Sequence, residues 1–468
     1  MLNDSVLLVK LFSAADESVP PLGLGYLASA IRNKCEVEIL DCEKEKIQAE
    51  NFALWLKNKD FKVIGFHVFT HHLNILREYI KAVKEVIPQA VIIIGGPHPS
   101  CAPEHSLKNF PEIDYAFCGE AEKGLSAFLD ALFANNLTAA VKATIPGLVW
   151  RHNQEVKVNQ RLFWENLDDL GMPAWDLLKF ESYPTGAPHS VFYKNFPIAP
   201  IVTTRGCPFS CTFCAGHLVS GRRMRTRSVQ SIIDEIEYLH DNFGVKEINF
   251  EDDNFTFNKE RVMDFCEKLS KKPWQISFAF ANGIRLDSLD EEMLLALKKA
   301  GLYEVRVGIE SGNNRILKLM QKSLNTTVVQ DKIKLIQSVG LDVVGLFIIG
   351  YPGETRKEIL QTFKFARDLG LIRANFAIFH PFPFTAVTDQ LVAEKKINTD
   401  IQDWDNFSLT KVAYVPQGFT KNELRNLRRY GFLRFYLRPK ILYKLLSSIK
   451  SFSHFKFIFR LMFRWVFK

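Results

Sequence analysis

The chain has 468 residues, a hydrophobic content of 47% and a formal net charge of +8. This length exceeds that of one ordinary compact domain, so we expect two or three domains. A mean hydropathy of −0.04 fits a globular protein with a sizeable core. Eight cysteines in a chain of this length do not indicate a disulfide framework, and a reducing, intracellular compartment is expected.

The positive charge is concentrated near the end of the chain. Residues 421–468 contain thirteen Lys or Arg and one Glu, a net charge of +12, so the preceding residues carry about −4. A weakly acidic body argues against nucleic-acid binding, and we expect no nucleic-acid partner. The first residues lack a basic segment followed by an apolar run, so no signal peptide is predicted.

The first 140 residues alternate short apolar runs with helical patterns. The runs predict strands at residues 6–9, 37–40, 63–66, 91–94 and 114–117. Helical patterns lie between them, for example at 23–32 and 75–86, and a last one ends near 133. Near-continuous apolar strands separated by helices indicate a doubly wound, Rossmann-like parallel sheet over residues 1–140. Ligands of such sheets bind at the carboxyl ends of the strands.

A second series of strands and helices follows a connector predicted at 141–194. Its strands are predicted at 201–203, 247–250, 277–280, 304–307, 343–349 and 374–379. Together with helices such as 232–243 and 291–300, they favour a partial (β/α)6 TIM-like barrel over residues 195–385. Residues 386–468 are predicted to form a helical, basic C-terminal region.

Three cysteines are clustered directly after the first predicted barrel strand. Cys207, Cys211 and Cys214 are separated by three and two residues, which lets three thiolates on one loop meet a single metal cluster. Three protein ligands leave one iron open for another molecule. A closed zinc site, with His217 as its fourth ligand, is the main alternative.

The segment from Cys207 to Cys214 matches the C-x-x-x-C-x-aromatic-C motif of the radical S-adenosylmethionine superfamily. Further segments, at 250–256, 282–285, 308–312 and 345–355, resemble the cobalamin-dependent, class B methyltransferase-like branch of that superfamily. The resemblance covers about residues 1–440. It implies a 4Fe–4S cluster held by the three cysteines, with S-adenosylmethionine on the open iron.

The same resemblance implies which residues contact S-adenosylmethionine. These residues are Phe213, Asp252, Arg285, Glu310 and Gly350. Asp252 is expected at the methionine amino group and Glu310 at the ribose, where its charge strengthens the hydrogen bond. Two positions depart from the family pattern: Leu346 alters the expected adenine contacts, and Phe384 alters the expected substrate pocket.

The first domain resembles the cobalamin-binding domain that is fused to this superfamily, through segments 20–27, 95–99 and 119–122. The implied cobalamin-binding residues are Leu22, Gly23, Thr70, Gly95, Gly96, Pro97, Gly119 and Glu120. A D-x-H-x-x-G motif is absent, so the resemblance implies cobalamin without a lower histidine ligand. The alternative is a scaffold domain that has lost cobalamin.

The resemblance also implies the chemistry. A 5′-deoxyadenosyl radical from S-adenosylmethionine would take hydrogen from an unactivated carbon, and cobalamin would deliver a methyl group to it. The expected substrate is a lipid or another secondary metabolite, and the expected partner is a reducing electron donor such as flavodoxin or ferredoxin. Three alternatives remain: cobalamin-associated cyclisation or rearrangement, methylthio transfer, and a non-catalytic cobalamin carrier. A methylthiotransferase is expected to have a second cysteine triplet, which Cys35, Cys42, Cys101 and Cys118 do not form.

The end of the chain has two side-chain patterns with a spacing of four residues. Lys456, Arg460, Arg464 and Lys468 form the basic one, and Phe455, Phe459, Phe463 and Phe467 the aromatic one. They predict an amphipathic helix suited to an anionic membrane interface but too charged to span it. The alternative is a helix packed on the barrel. We therefore expect a cytoplasmic protein with peripheral contact to the cytoplasmic membrane face.

Overall fold

The computed structural model describes residues 4–12, 19–183, 192–397 and 411–447, together with 449, 452, 455, 456, 458 and 459. Its first domain is built on a seven-stranded sheet in the order β2-β1-β3-β4-β5-β6-β7. The strands are β1 (Ser5–Lys10), β2 (Glu36–Asp41), β3 (Val63–His67), β4 (Val91–Gly95), β5 (Tyr115–Phe117), β6 (Leu148–His152) and β7 (Glu155–Val158). The helices are α1 (Leu22–Ile31), α2 (Cys42–Glu45), α3 (Ala49–Leu56), α4 (Leu73–Val86), α5 (Pro97–Cys101), α6 (Pro103–Lys108), α7 (Glu122–Phe133) and α8 (Ala139–Thr144).

The five strands β1 to β5 pair in parallel, and β1, inside the sheet, is buried along its whole length. In β1, Val6 and Leu8 enter one hydrophobic core, whereas Leu7 and Val9 enter another on the opposite face. Since alternate side chains of a strand point to opposite faces, a continuous apolar run fills both cores. The predicted doubly wound sheet is confirmed.

The predicted connector contributes two strands to this sheet. β5 pairs with β6, and β6 with β7, both antiparallel. These two strands, of five and four residues, were not predicted from the sequence. A short helix, α9 (Trp175–Leu178), follows and buries Trp175, whose indole N–H donates to Glu235 Oε1 at 3.0 Å.

The second domain is a partial barrel of six parallel strands in two groups of three. They are β8 (Ile198–Ile201), β11 (Glu247–Phe250), β12 (Ser277–Phe280), β13 (Glu304–Glu310), β14 (Asp342–Ile349) and β15 (Arg373–Ile378). A hairpin, β9 (Thr204–Arg205) with β10 (Arg225–Thr226), lies after β8. The helices are α10 (Gly216–Ser220), α11 (Val229–Phe243), α12 (Lys259–Ser270), α13 (Glu291–Ala300), α14 (Asn314–Leu319), α15 (Thr326–Ser338) and α16 (Arg356–Asp368).

The two groups, β12-β11-β8 and β13-β14-β15, are joined by single bridges between Phe278 and Leu302 and between Ile284 and Val307. The predicted barrel is therefore confirmed. Side chains such as Phe250 and Phe278 belong to the largest core, which also includes residues of the first domain. The carboxyl ends of the strands form the rim where barrel enzymes place their chemistry.

The C-terminal region contains α17 (Ala386–Ala393), α18 (Lys421–Tyr436) and α19 (Pro439–Ser447). Helix α18 covers β15, the last strand of its group. The Tyr436 hydroxyl donates to the carbonyl oxygen of Ala374 at 3.0 Å and accepts its N–H at 3.2 Å. The helix thus protects an edge strand that would otherwise offer unpaired backbone groups. Within the described part of the chain, no helix is both long and apolar enough to cross a bilayer.

We predict that Tyr436→Phe lowers the free energy of unfolding of the apoprotein by about 1 kcal/mol, because both hydrogen bonds to Ala374 are lost. Urea denaturation followed by circular dichroism measures this change. Tyr430→Phe is the matched control, since Tyr430 is on the same helix but is 45% exposed. Equal unfolding midpoints for the two variants would contradict the edge-protecting role.

Candidate active site

A sharp turn begins the loop that carries the three clustered cysteines. Gly206 has a φ of +92°, and a Cβ at this position would overlap the carbonyl oxygen of Arg223. Only glycine therefore fits. The next residue, Cys207, donates its backbone N–H to the carbonyl oxygen of Gly221 at 3.1 Å. The backbone of the chain itself thus fixes the start of the cysteine loop.

The thiols of Cys207, Cys211 and Cys214 lie within electrostatic range of one another. Cys214 donates its backbone N–H to the Cys211 carbonyl at 3.1 Å, and its Sγ accepts the N–H of Gly216 at 3.4 Å. Burial raises the pKa of the Cys214 thiol to about 11. A thiolate in this position needs a nearby positive charge, which iron ligation supplies.

Among the described residues, no three His, Cys, Asp or Glu side chains are placed to hold one metal ion. A 4Fe–4S cluster is held by cysteine thiolates, which this loop supplies.

Residues from later barrel strands hold the middle of the cysteine loop. Thr212 donates its N–H to the Met320 carbonyl at 3.0 Å, and its hydroxyl lies 2.7 Å from the Tyr351 hydroxyl. Phe213, one of the predicted contacts of S-adenosylmethionine, packs against an apolar cluster that includes Tyr351 and Phe379. The aromatic residue of the motif thus helps to seat the loop on the barrel.

Arg285, predicted to bind S-adenosylmethionine, reaches the cysteine loop. Its guanidinium lies 3.6 Å from the centre of the Phe209 ring, between Cys207 and Cys211 in the sequence. Two hydrogen bonds to Asp287, at 2.9 and 2.7 Å, fix its orientation. The side chain is only 9% exposed. It therefore places a fixed positive charge beside the cluster position.

Glu310 ends β13 with a φ of +66°, an uncommon conformation that costs energy for a residue other than glycine. Its Oε1 accepts a hydrogen bond from Lys322 Nζ at 2.7 Å, and both side chains are nearly buried. Burial lowers the pKa of Lys322, but Glu310 more than compensates and the net direction is upward. Gly308 provides the space, because a Cβ there would lie 2.6 Å from Glu310 Oε1. The sequence did not reveal Lys322.

Asp252 is a buried support of the strand end rather than an open ligand. Its Oδ1 accepts the backbone N–H groups of Thr203, at 2.7 Å, and Thr204, and its Oδ2 accepts the Thr203 hydroxyl at 3.0 Å. Burial raises the pKa of Asp252, although the nearby Arg261 lowers it. Both oxygens of Asp252 thus have partners within the protein, and its contact with the methionine amino group stays a prediction. The exposed neighbour, Asp253, is the carboxylate that lies near Cys207 and Cys214.

Gly350 follows β14 with a φ of +74°, and it contacts Leu424 of α18. The Glu354 Oε2 accepts the backbone N–H of Gly350 at 2.6 Å and that of Tyr351 at 3.2 Å. Burial raises the pKa of Glu354 to about 8. Its other oxygen, Oε1, is buried and accepts no hydrogen bond among the described residues. Through these two hydrogen bonds, the Glu354 side chain organises the turn beyond β14.

Two buried polar atoms at the end of β11 lack a partner in the described part of the chain. They are the side-chain oxygens of Asn249, on β11, and of Asn254, just beyond it. Such atoms are costly unless a ligand or water satisfies them. Together with Arg285, Glu310 and Asp253, they fit a zwitterionic nucleoside such as S-adenosylmethionine.

The residues predicted to bind cobalamin meet at one edge of the first sheet. They follow the carboxyl ends of β1, β3, β4 and β5: Leu22, Gly23, Thr70, Gly95, Gly96, Pro97, Gly119 and Glu120. A Cβ at Gly23 or Gly95 would meet no atom within 4 Å, so open space lies above both. Gly96, with a φ of +107°, lets the chain pass closely by His67. The open space at this edge fits a bulky ligand such as a corrin ring.

Two of these side chains already have protein partners. The Thr70 hydroxyl lies 3.1 Å from His98 Nδ1, and Glu120 forms an ion pair with Arg225 at 2.7 Å. Glu122, two residues later, has a buried Oε2 that accepts no hydrogen bond among the described residues.

The cobalamin edge lies beside the cysteine loop. Helix α5, which starts at Pro97, packs against α10, which follows Cys214. The Arg161 guanidinium joins the two helices: it donates to the Ser100 carbonyl at 2.6 Å and also to the Leu218 carbonyl. The two candidate cofactor sites therefore face each other across a direct contact between the domains.

Comparison with known proteins agrees with this arrangement. The profile of the radical SAM superfamily matches residues 201–366, and that of the B12 binding domain matches residues 10–129. These matches confirm the expected cofactors, namely a 4Fe–4S cluster, S-adenosylmethionine and cobalamin.

Relatives extend the similarity to most of the chain. An uncharacterized methyltransferase of Pyrococcus horikoshii is 32% identical over 91% of this chain and 89% of its own length. A cytidylyl-2-hydroxyethylphosphonate methyltransferase of Streptomyces wedmorensis is 28% identical over 77% of this chain and 76% of its own. An anaerobic magnesium-protoporphyrin IX monomethyl ester cyclase of Cereibacter sphaeroides is 24% identical over 91% of this chain and 68% of its own.

Among solved structures, the radical S-adenosylmethionine methyltransferase TsrM of Kitasatospora setae has the same fold. Its TM-score is 0.68 at 18% identity, over 84% of this chain and 78% of its own. The expected enzyme class, a methyltransferase-like radical enzyme, agrees with the relatives. The chain belongs to the radical S-adenosylmethionine superfamily, in the branch that carries a cobalamin-binding domain.

Proposed function

We propose that this enzyme transfers a methyl group to an unactivated carbon of a small molecule. The proposal rests on one observation, the contact between the cobalamin edge and the cysteine loop through α5 and α10. Arg161 joins the two helices by donating to the carbonyl oxygens of Ser100 and Leu218. A radical and a methyl donor used on one substrate carbon must be within reach of the same point.

When bound, the cluster supplies the electron that cleaves S-adenosylmethionine, and cobalamin supplies the methyl group. The residues of the chain would bind and orient S-adenosylmethionine. Arg285 places a positive charge beside the cysteines, and Asp253 is our candidate for the methionine amino group, in place of Asp252. Glu310, held by Lys322, is the candidate acceptor for a ribose hydroxyl.

A second candidate function is radical cyclisation or rearrangement. The relative named as a cyclase supports it, since the similarity extends over 91% of this chain. Methylthio transfer has less support because the other cysteines form no second triplet. A non-catalytic carrier has no evident need for a complete cysteine loop with Arg285 and Glu310 beside it.

The proposed partners are a protein electron donor, such as flavodoxin or ferredoxin, and a membrane surface. For the membrane, support comes from the described residues near the chain end. Phe452, Phe455 and Phe459 are 71%, 41% and 59% exposed, and their rings stack in sequence. Most of the predicted amphipathic helix lies outside the described residues. A membrane-bound enzyme in the cytoplasm would fit a lipid substrate.

Turnover products test the proposed function. After anaerobic reconstitution with iron, sulfide and cobalamin, we predict that dithionite yields both 5′-deoxyadenosine and S-adenosylhomocysteine from S-adenosylmethionine. Cys211→Ala, which removes one ligand of the cluster, is expected to abolish 5′-deoxyadenosine, whereas Cys266→Ala, a buried cysteine away from the loop, keeps it. Liquid chromatography with mass spectrometry measures both compounds. 5′-Deoxyadenosine without S-adenosylhomocysteine would favour the second candidate, and neither compound would refute both.

The titration of Glu354 provides a test of the turn that we place beside the adenine. Its carboxyl group titrates near 4.5 when exposed and at about 8 in the folded protein. Folding therefore takes up a proton between these values, and stability falls as pH rises through the interval, by at most about 1.4 kcal/mol per pH unit. We predict that Glu354→Gln, which cannot titrate, gains stability relative to the parent protein between pH 5.5 and 8.

Thermal unfolding of the apoproteins at several pH values gives the comparison. Glu358→Gln is the matched control, because hydrogen bonds from Arg315 lower the pKa of Glu358 to about 2. Above pH 4.5 the ionised Glu358 side chain makes its full contribution to stability. The difference in stability between Glu358→Gln and the parent protein therefore stays constant between pH 5.5 and 8. A constant difference for Glu354→Gln as well would show that this carboxyl group is ionised.

Vesicle flotation tests the membrane contact. We predict that the full chain floats with vesicles containing phosphatidylglycerol, that salt weakens this binding, and that a chain ending at residue 447 loses it. Replacing Phe452, Phe455 and Phe459 by Ser is expected to have the same effect. Leu54→Ser, at an equally exposed apolar residue of the first domain, serves as the control. Failure of the full chain to bind would refute the membrane proposal without affecting the catalytic one.

A further inference from the structure

Two arginines lie opposite each other at the start of the cysteine loop. In the antiparallel hairpin of β9 and β10, Arg205 is the register partner of Arg225. Their side chains are only 14% and 4% exposed. Like charges directly opposite each other in a sheet repel, and burial makes the repulsion stronger. The hairpin therefore needs negative charge from elsewhere.

The cobalamin-binding domain provides that charge. Glu120 Oε1 lies 2.7 Å from Arg225 and 3.7 Å from Arg205, so one carboxylate serves both arginines. Glu122 accepts a hydrogen bond from Arg205 at 2.8 Å. Both carboxylates are only 6% exposed. All four charges are thus buried, and each pair joins the two domains.

Further contacts fix the geometry of these pairs. The Arg205 guanidinium lies 5.2 Å from the centre of the Tyr26 ring in α1. Glu120 also accepts the backbone N–H of Trp164 at 2.9 Å, and Arg225 donates to the Trp164 carbonyl at 3.0 Å. Buried ion pairs add little net stability compared with apolar packing, whereas they restrict the orientation of the groups that they join.

The location of the pairs gives this restriction a role. Arg205 lies two residues before Cys207, and Glu120 follows the glycine at the carboxyl end of β5, where cobalamin is expected. We propose that Glu120, Glu122, Arg205 and Arg225 form an interdomain clamp that holds the cysteine loop at a fixed position relative to the cobalamin edge. This inference rests on the proposed function. It assigns Glu122 and Arg205 as positioning residues for methyl transfer to cobalamin from S-adenosylmethionine.

We expect loss of the clamp to affect the two reactions of S-adenosylmethionine, radical cleavage and methyl transfer, to different extents. Cleavage to 5′-deoxyadenosine needs only the barrel and its cluster, whereas formation of S-adenosylhomocysteine needs cobalamin at the correct distance. In Glu122→Gln, Arg205 keeps Glu120 as a counter-charge at 3.7 Å, so the variant is expected to fold. The matched control is Asp130→Asn, which removes an ion pair with Lys34 inside the first domain.

Hydrogen exchange of the apoprotein, followed by mass spectrometry, is the first measurement. For Glu122→Gln, we expect exchange of residues 204–227 to rise by roughly tenfold, in line with a broken buried ion pair. In the same variant, hydrogen exchange of β11 is expected to stay unchanged. In Asp130→Asn, exchange is expected to stay unchanged throughout the barrel. Unchanged exchange at 204–227 would overturn the clamp.

The second measurement uses the reconstituted enzymes. We expect the initial rate of S-adenosylhomocysteine formation in Glu122→Gln to fall by roughly tenfold, while 5′-deoxyadenosine formation stays within about twofold. An unchanged ratio of the two products, or an equal loss of both, would overturn the positioning role. If the parent enzyme forms neither product, the proposed function fails, and the exchange experiment still decides whether the clamp holds the loop.

Discussion

The arrangement of the active site depends on one buried carboxylate. Asp252, 3% exposed, binds the backbone of Thr203 and Thr204 at the end of the first barrel strand. Removing this charge from water is unfavourable, and the three hydrogen bonds together with Arg261 offset only part of the cost, since the net shift of the Asp252 pKa is upward. The strand end cannot turn without breaking them. Since the hairpin and the cysteine loop start here, Asp252 sets the direction in which the thiols leave the barrel.

Further contacts position the cysteine loop beyond the strand end. Gly206 allows the turn, Thr212 ties the middle of the loop to Tyr351, and Arg205 ties its start to the cobalamin-binding domain. The residues that the loop contacts belong to different parts of the chain. The loop is therefore positioned by the whole fold, and backbone N–H groups of Phe209 and Gly216 donate to the thiols of Cys207 and Cys214.

The sequence predicted most of the elements because their signals are local. The strands β11 and β12 begin and end at the residues that their apolar runs indicate. The cysteine spacing indicated a metal-binding loop, and the match to the family motif predicted a 4Fe–4S cluster there. The hairpin of β6 and β7 was missed because a short antiparallel extension depends on pairing with β5, which no local pattern records.

Side-chain roles were harder to predict for the same reason. Asp252 and Asp253 are adjacent and chemically identical, and only the fold shows that one binds Thr203 while the other lies near the cysteines. Lys322 meets Glu310 across twelve residues, and Arg205 meets Glu122 across eighty-three. Such pairs form between elements that come together only in the folded protein, so a single sequence does not reveal them.

Electron paramagnetic resonance of the reduced, reconstituted protein tests the central claim most directly. Three thiolates that leave one iron open predict a 4Fe–4S signal whose g values change when S-adenosylmethionine is added. The signal should disappear when Cys207, Cys211 and Cys214 are all replaced by Ala. A signal that ignores S-adenosylmethionine, or that survives the triple replacement, would contradict the account.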